Sequence, residues 1–275
     1  MRARRFTDKV VIITGGSAGI GLAAARFFGE EGAKVVLFAR GADALEKARA
    51  DLEGRGAKVA TLAIDVAAPG ASERIVAFAK ERFGGVDILV NNAGAHARGP
   101  FTTRKAAELG HMIDVNLRAP IELTHHAVTA MKATGSGAVV NVASLAGMVP
   151  TVGSATYSAT KFGLRAFSMA LADELAGTGI TVSIVSPGPV DTQFIMSELD
   201  TVTDLTMSQP LVTAEEVAEL ILDCAHDGKV ERAAPRVSGM LATLGYFAPA
   251  LRRALRPALE ARGRKAKARL RAERG

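Results

Sequence analysis

Short apolar runs alternate along the chain with longer segments in which apolar residues recur every three or four positions. The runs are rich in β-branched residues, which is typical of buried strands, whereas the wider spacing predicts amphipathic helices. The predicted strands are Lys9–Thr14, Lys34–Ala39, Lys58–Ile64, Val86–Val90, Gly137–Val142, Thr181–Val185 and Arg232–Val237. The predicted helices are Leu22–Glu31, Ala42–Gly54, Ser72–Phe83, Ala106–Ala133 with a break near Pro120, Ala155–Leu175 and Met240–Arg274.

This alternation predicts a doubly wound α/β fold of the Rossmann type, with a central parallel sheet of about seven strands and helices on both faces. Residues 1–239 are predicted to form the dinucleotide-binding and catalytic domain. Residues 240–275 are predicted to form a basic helical extension that is not an independent domain. Ligands of such sheets bind at the carboxyl ends of the strands. The candidate residues of that edge are the glycines after the first strand, Arg40, Asp65, Asn91, Ser144 and Pro187.

A glycine-rich turn, Thr14-Gly-Gly-Ser-Ala-Gly-Ile-Gly21, joins the first strand to the first helix. Glycines permit a tight turn and a close approach of the backbone to a ligand. The helix N-terminus offers free N–H groups and a positive dipole end to a pyrophosphate. The segment therefore predicts a dinucleotide site, to which we assign Gly15, Ser17, Gly19, Ile20 and Gly21.

Tyr157 and Lys161 are four residues apart on a predicted helix, so both lie on one face. A free tyrosine titrates at about 10, and a nearby ammonium group favours the phenolate. We therefore expect Lys161 to lower the pKa of Tyr157. Ser144, after the fifth strand, supplies a hydroxyl that can hold a substrate oxygen. The spacing alone is common on exposed helices, so its meaning depends on the other motifs.

Seven motifs in order resemble the short-chain dehydrogenases/reductases in their single-domain form, over about Asp8 to Asp227. The motifs are the glycine loop, Asp65-Val66, Asn91-Asn-Ala-Gly94, Asn116, Ser144, Tyr157 with Lys161, and Pro187-Gly188 followed by Thr192.

The resemblance implies a role for each of these residues. Tyr157 is the general acid or base, Ser144 binds the carbonyl oxygen, and Lys161 binds the nicotinamide ribose. Asn116 is similar to the residue that supports a proton-relay water. The remaining assignments are Asp65 and Val66 at the adenine, Asn91, Ala93 and Gly94 at the adenosine ribose, and Pro187, Gly188, Val190 and Thr192 at the nicotinamide amide and pyrophosphate.

The end of the second predicted strand indicates which nicotinamide cofactor is used. An acidic residue there binds the ribose 2′-hydroxyl of NAD, whereas an arginine accommodates the 2′-phosphate of NADP. By resemblance, Ala39 stands where NAD-preferring members carry aspartate, and Arg40 stands where NADP-preferring members carry a base. NADP is therefore predicted over NAD, although Ser17-Ala18 lacks the second basic residue of many NADP-preferring relatives.

The predicted function is an NADP(H)-dependent oxidoreductase that interconverts a carbonyl and an alcohol on a small hydrophobic substrate. The alternative is a catalytically silent cofactor-bound sensor or scaffold, which would not need Ser144, Tyr157 and Lys161 together. By resemblance, specificity lies in the loop Gln193–Pro210. Its apolar residues form a lid or pack on the core: Phe194, Ile195, Met196, Leu199, Leu205 and Met207. We expect His96, Arg98 and Leu145–Val149 to border the same pocket.

Composition limits the remaining functional classes. The chain has 275 residues, 48% of them hydrophobic, which suits one large domain. Its single cysteine indicates a reducing compartment, so we expect a cytoplasmic protein. The five histidines show no ligand spacing, so no metal is expected. The basic segment Met1–Arg5 precedes too short an apolar run for a signal peptide, and no run is long enough to span a membrane.

The C-terminal segment is strongly basic. From Pro249 to Gly275, ten Lys/Arg face two Glu, a net of +8 in a chain whose total is +6. A stripe of apolar residues at helical spacing accompanies the charge: Leu241, Leu244, Phe247, Leu251, Leu255 and Leu259. Three placements are open, on an anionic membrane surface, over the substrate pocket, or on the core. Nucleic acid is not expected, since aromatic residues are not interleaved with the charges.

Assembly as a homodimer or homotetramer is expected. Small residues on the helix that carries Tyr157 permit close helix packing, and in relatives this helix lies in a dimer interface. They are Ala159, Gly163, Ala166 and Ala170. The unusual C-terminus lacks the short tail that packs in the tetramers of many bacterial relatives.

Overall fold

A computed structural model describes residues 4–192 and 200–272 of the chain. Within these residues, one sheet of seven parallel strands has the order β3-β2-β1-β4-β5-β6-β7. The strands are β1 (Val10–Thr14), β2 (Lys34–Ala39), β3 (Lys58–Ala63), β4 (Ile88–Asn91), β5 (Gly137–Val142), β6 (Ile180–Pro187) and β7 (Glu231–Ala234). The predicted doubly wound α/β fold is confirmed.

Helices cover both faces of the sheet. They are α1 (Gly19–Glu30), α2 (Ala42–Gly54), α3 (Ala71–Phe83), α4 (Ala106–Ile113), α5 (Ala119–Lys132), α6 (Ala155–Glu174), α7 (Asp204–Met207), α8 (Ala214–Asp227), α9 (Arg236–Phe247) and α10 (Pro249–Ala272). A π-helical turn, Asp114–Arg118, joins α4 to α5.

Alternate residues of the central strands enter two separate apolar cores, because successive side chains of a strand point to opposite faces. Val11 and Ile13 of β1 pack with α1, α2 and α8, whereas Val10 and Ile12 pack with α3, α5 and α6. All four side chains are buried. Burial on both faces explains why the strands read as continuous apolar runs.

The last predicted strand ends earlier in the structure. The last strand was expected over Arg232–Val237, but β7 ends at Ala234 and α9 begins at Arg236. Pro235 between them has no N–H for a strand ladder. The predicted domain boundary at 239/240 therefore falls inside α9. The predicted break near Pro120 is the π-helical turn, after which Pro120 lies at the start of α5.

The predicted C-terminal helix is two helices, divided at Ala248. The second half of α10 packs on α7, and Gly263 makes this possible, since a Cβ there would collide with the carbonyl oxygen of Asp204. The ammonium of Lys267 lies 3.2 Å from a carboxylate oxygen of Asp204. Leu270 packs beside Val202 in the small apolar cluster around α7. The extension is therefore fixed to the segment that precedes α8.

No helix within residues 4–192 and 200–272 is both long and apolar enough to cross a membrane. The longest of them, α10, has 24 residues but carries nine Lys/Arg.

We expect Gly263→Ala to separate the second half of α10 from α7, because the added methyl group meets backbone rather than a flexible side chain. Overpacking of this kind costs about 1–3 kcal/mol. Limited trypsin digestion measures the effect, since the many Lys/Arg of α10 then become faster cleavage sites. The control is Gly54→Ala at the exposed end of α2, where the added Cβ meets nothing within 4 Å. Unchanged cleavage of α10 in Gly263→Ala would show that the close contact is not required.

Candidate active site

The candidate site lies at the point where the strand order of the sheet reverses, between β1 and β4. Hydrogen bonds join the carboxyl ends of these strands. The hydroxyl of Thr14 accepts from the backbone N–H groups of Asn92 and Ala93, each at 3.0 Å. The Asn92 side-chain amide donates to the carbonyl oxygens of Thr14 at 3.0 Å and of Gly15 at 3.2 Å. The side chain of Asn92 thus fixes the glycine loop.

The glycine loop has the geometry of a phosphate cradle. Gly15 and Gly19 have φ angles of 65° and 52°, which favour glycine. A Cβ on Gly21 would collide with the carbonyl oxygen of Gly15, so the helix starts directly against the turn. Ala18, the residue before α1, provides no side-chain cap. The first N–H groups of α1 are therefore left for an anion, and the residues present fit a dinucleotide pyrophosphate.

A cavity of about 630 Å³ extends from this loop along the carboxyl ends of the strands. It is lined by twelve of the residues predicted from sequence. They are Gly15, Gly19, Ile20, Ala93, Gly94, Ser144, Tyr157, Lys161, Pro187, Gly188, Val190 and Thr192. The cavity therefore joins the candidate cofactor cradle to the candidate catalytic side chains. His96, Arg98, Leu145 and Val149 also line it, as expected.

Seven predicted residues do not line this cavity: Ser17, Gly21, Arg40, Asp65, Val66, Asn91 and Asn116. Arg40 is exposed at the end of β2. Asp65 accepts a hydrogen bond from the backbone of Ala67 at 2.9 Å, which forms a turn after β3. Val66 borders a second, much smaller cavity.

The side chain of Asn91 turns into the core. Its amide donates to Thr124 at 3.0 Å and to Asn141 at 2.8 Å. Asn141 in turn donates to Ser168 at 2.8 Å. This buried polar chain connects β4, β5 and α6. Only the backbone of Asn91 is left to meet a ligand beyond the strand end.

Asn116 lies in the π-helical turn and is fully buried. Its side-chain oxygen accepts from the Ala95 N–H, and its amide donates to the Ala95 carbonyl, both at 2.8 Å. The amide also approaches the Thr160 hydroxyl at 3.2 Å. Asn116 therefore holds the segment after β4 against α6, the helix of Tyr157.

Ser144 and Tyr157 meet at the centre of the cavity. The Ser144 hydroxyl accepts from the Ala146 N–H at 3.1 Å and lies 3.4 Å from the Pro187 carbonyl oxygen. Burial raises the pKa of Tyr157, while a hydrogen bond from Ser144 and the nearby Arg98 guanidinium act in the lowering direction. Burial has the larger effect, so the phenol stays protonated at neutral pH.

Lys161 is almost completely buried, and its ammonium donates to the Val142 carbonyl at 2.8 Å. Its nitrogen lies 5.7 Å from the centre of the Tyr157 ring. Burial lowers the pKa of Lys161 to about 8. The expected lowering of the Tyr157 pKa by Lys161 is wrong for this state of the protein. The four-residue spacing indicates that the cation is near, but it does not report the desolvation of both groups.

His96 stacks on Tyr157, which the sequence did not indicate. The two ring centres are 4.0 Å apart and the rings are nearly parallel, while the imidazole Nε2 lies 3.0 Å from the Ser154 hydroxyl. Burial, with smaller effects from Arg98 and Lys161, lowers the pKa of His96 to about 3, so the ring is neutral.

Within the described residues, no three His, Cys, Asp or Glu side chains are grouped to hold a metal.

The C-terminal extension supplies an apolar wall of the cavity. Five of its leucines line it, namely Leu241, Leu244, Leu251, Leu255 and Leu259. Leu205 of the predicted substrate loop also lines the cavity, whereas Met207 is buried in the cluster around α7. The other apolar residues predicted for the loop, Phe194, Ile195, Met196 and Leu199, lie outside the described residues. The leucines of the extension thus lie over the pocket, one of the three expected placements, while the second half of α10 packs on α7.

The pKa of Lys161 leads to a prediction on stability. A lysine of the unfolded chain titrates at about 10.4, whereas Lys161 of the folded chain loses its proton near 8. Between these pH values the unfolded chain binds more protons, so the wild type gains stability as pH rises, and Lys161→Met does not. The free energy of unfolding of the wild type should rise relative to the variant by up to about 3 kcal/mol between pH 7 and pH 10.5.

Urea denaturation of both proteins across this pH range measures the difference. Lys47→Met, at an exposed position of α2, is the matched control. A difference that stays constant with pH would contradict the burial of the Lys161 ammonium.

Comparison with known proteins agrees with this arrangement. The sequence pattern of the short chain dehydrogenase family matches residues 9–202. An uncharacterized oxidoreductase of Staphylococcus aureus strain MRSA252 is 37% identical over 187 residues, which are 68% of this chain and 80% of that protein. The ketoacyl reductase HetN of a Nostoc species is 36% identical over 185 residues, covering 67% of this chain and 64% of the relative.

Three solved structures are similar over most of the chain. L-Sorbose reductase of Gluconobacter frateurii, complexed with NADPH and L-sorbose, has a TM-score of 0.74 at 28% identity, covering 84% of this chain and 96% of that one. A variant of actinorhodin polyketide ketoreductase with NADPH has a TM-score of 0.76 at 32% identity, covering 84% and 98%. Levodione reductase has a TM-score of 0.78 at 26% identity, covering 86% and 99%. By sequence pattern, relatives and fold, the chain belongs to the short-chain dehydrogenase family of oxidoreductases.

Proposed function

We propose that the protein is an NADPH-dependent reductase that converts the carbonyl group of an apolar substrate to an alcohol. The observation that carries this proposal is one continuous cavity, with the glycine loop at one end, Ser144, Tyr157 and Lys161 at its centre, and leucines of the C-terminal helices along its wall. The similar structures of L-sorbose reductase and actinorhodin ketoreductase, both solved with NADPH, support the reaction class.

The residues that would hold the cofactor surround the strand ends. The pyrophosphate would lie on the glycine loop, with Thr192 packed against Gly19 beside it. Arg40 is exposed at the end of β2, where its guanidinium can form paired hydrogen bonds with a 2′-phosphate. Asp65 and Val66 would border the adenine, and Lys161 would reach the nicotinamide ribose. When bound, NADPH supplies the hydride.

In the reaction, the side chains of the protein donate one proton and stabilise one developing negative charge. The Tyr157 phenol donates the proton to the substrate oxygen, and the Ser144 hydroxyl hydrogen-bonds the same oxygen as its charge increases. Because burial raises the pKa of Tyr157, the phenol carries its proton at neutral pH and can donate it. His96 covers one face of the phenol ring and limits its movement.

The substrate class follows from the wall of the cavity. The leucines of α9 and α10, together with Leu205, offer dispersion contacts and few hydrogen bonds, which suits a hydrophobic ketone or aldehyde. A silent sensor with the same fold has less support. It would not need a tyrosine, a serine and a buried lysine assembled at one point.

We also propose a homo-oligomer of the cytoplasm. Ala159, Ala166 and Ala170 form an exposed stripe of small residues on α6, and Met169 beside them is also exposed, which supports close packing of this helix on a second copy. The single cysteine, Cys224, is buried and free, which suits a reducing compartment.

Tyr157→Phe should lower turnover by a factor of about 10² to 10⁴, because the proton donor is removed and the ring is kept. The dissociation constant for NADPH should change little. Activity is followed by the absorbance of NADPH with a panel of aliphatic and aromatic ketones, and binding by NADPH fluorescence. The chain has two tyrosines, so Tyr246→Phe, outside the cavity, is the matched control. A Tyr157→Phe variant that is as active as the wild type would disprove the acid role of Tyr157.

Arg40→Ala should raise the dissociation constant for NADPH by about 10-fold to 100-fold, since a charge-assisted contact contributes roughly 1.5–3 kcal/mol. The constant for NADH, which lacks the 2′-phosphate, should stay nearly the same. Lys47→Ala, at an exposed position of α2, controls for the loss of one surface charge. An equal loss for both cofactors would assign Arg40 a structural role instead.

A further inference from the structure

One face of α9 is apolar and uncovered. Val237, Met240, Leu241, Leu244 and Phe247 recur at the spacing of residues that normally face a core. Each of them is nevertheless more than half exposed, and Phe247, at 79%, is the most exposed of the large apolar residues described. Leu251 and Leu255 of α10 extend the same apolar surface at 59% and 51% exposure. We name these seven residues the apolar face.

Cations flank the apolar face along α10. Arg252 and Arg256 each follow a leucine of the face by one position, which places them about 100° around the helix from it. Arg262 is exposed and lies beyond the last leucine of the face, eleven positions after Leu251, which places it about 20° around the helix from that residue. The described part of α10 carries nine Lys/Arg and one Glu. Long basic side chains beside an apolar stripe are typical of helices that lie in the plane of a lipid interface.

A second copy of the chain is a poorer partner for this face. Self-association through it would bring two α10 helices together, each with a net charge of +8, and like charges repel. An anionic surface instead attracts the positive charges of α10. The remainder of the chain carries a net −2, so the attraction is directed to this one side of the molecule.

The mouth of the cavity lies on the same side of the molecule as the apolar face. Leu241, Leu244, Leu251 and Leu255 line the cavity and are also exposed, so they form its rim. An apolar phase that covers the apolar face therefore also covers the opening of the cavity.

We propose that α9 and the first half of α10 dock on the surface of an anionic lipid bilayer, with the apolar face inserted among the lipids and the flanking cations at the headgroups. The docking is peripheral and needs no spanning segment. The buried apolar area and the attraction between the cations and the anionic lipids both contribute to the binding free energy, and neither alone gives stable binding.

The test is co-sedimentation of the full chain with vesicles of phosphatidylcholine alone or with added phosphatidylglycerol. We expect binding to the anionic vesicles, weak binding to the neutral ones, and release at high salt. Met240→Ser with Phe247→Ser removes apolar area outside the cavity, and Arg256→Glu with Arg262→Glu changes the local charge by four units. Each pair should lower the partition coefficient by at least about tenfold.

Matched controls lie far from α9 and α10. Phe101→Ser removes an aromatic ring that is 62% exposed, and Lys47→Glu with Arg74→Glu reverses two charges on α2 and α3. Thermal unfolding by circular dichroism verifies that every variant folds. These readouts do not depend on turnover, so a failure of the proposed reaction leaves the docking test intact.

Three results would overturn the proposal. The first is no sedimentation with anionic vesicles, which would leave the face to a protein partner. The second is equal binding of wild type and both pairs of variants. The third is a dimer, measured by light scattering, that dissociates in the Met240→Ser, Phe247→Ser variant, which would make a second copy the occupant.

Discussion

The hydrogen bonds between the segments at the carboxyl ends of β1 and β4 set the geometry on which the site depends. The Thr14 hydroxyl holds two backbone N–H groups of the neighbouring segment, and Asn92 holds two carbonyl oxygens of the glycine loop. These hydrogen bonds extend the contact between the two segments beyond the last residue pair of the β1–β4 ladder. They fix the glycine loop relative to the segment that carries His96, and Asn116 holds that segment against the helix of Tyr157.

Sequence reasoning was strongest where one local motif determines both backbone and chemistry. The glycine loop, Ser144 and the pair Tyr157 and Lys161 could be assigned because strand ends and helical spacing position them without knowledge of distant contacts. The direction in which Asn91 turns could not be predicted, since it depends on Thr124 and Asn141, far away along the chain. The same holds for His96, whose stacking partner comes from another element.

Electrostatics could be predicted least well. A four-residue spacing indicates that an ammonium is near a phenol, but it does not report how much water either group has lost. In the folded chain, desolvation determines the direction of the shift for both Tyr157 and Lys161. The apolar stripe of the C-terminus had a similar ambiguity. Periodicity identified the leucines, and only the fold placed them at a cavity.

The origin of that wall has an evolutionary consequence. The family pattern ends at residue 202, before α9 and α10 begin, while Tyr157 and the glycine loop lie within it. If the proposed function holds, the leucine wall of the pocket and the residues of the chemical step are thus encoded in separate stretches of the gene. Substitutions in the C-terminal stretch would then change the pocket wall without altering a catalytic codon. A shared catalytic motif alone would therefore not identify a shared substrate.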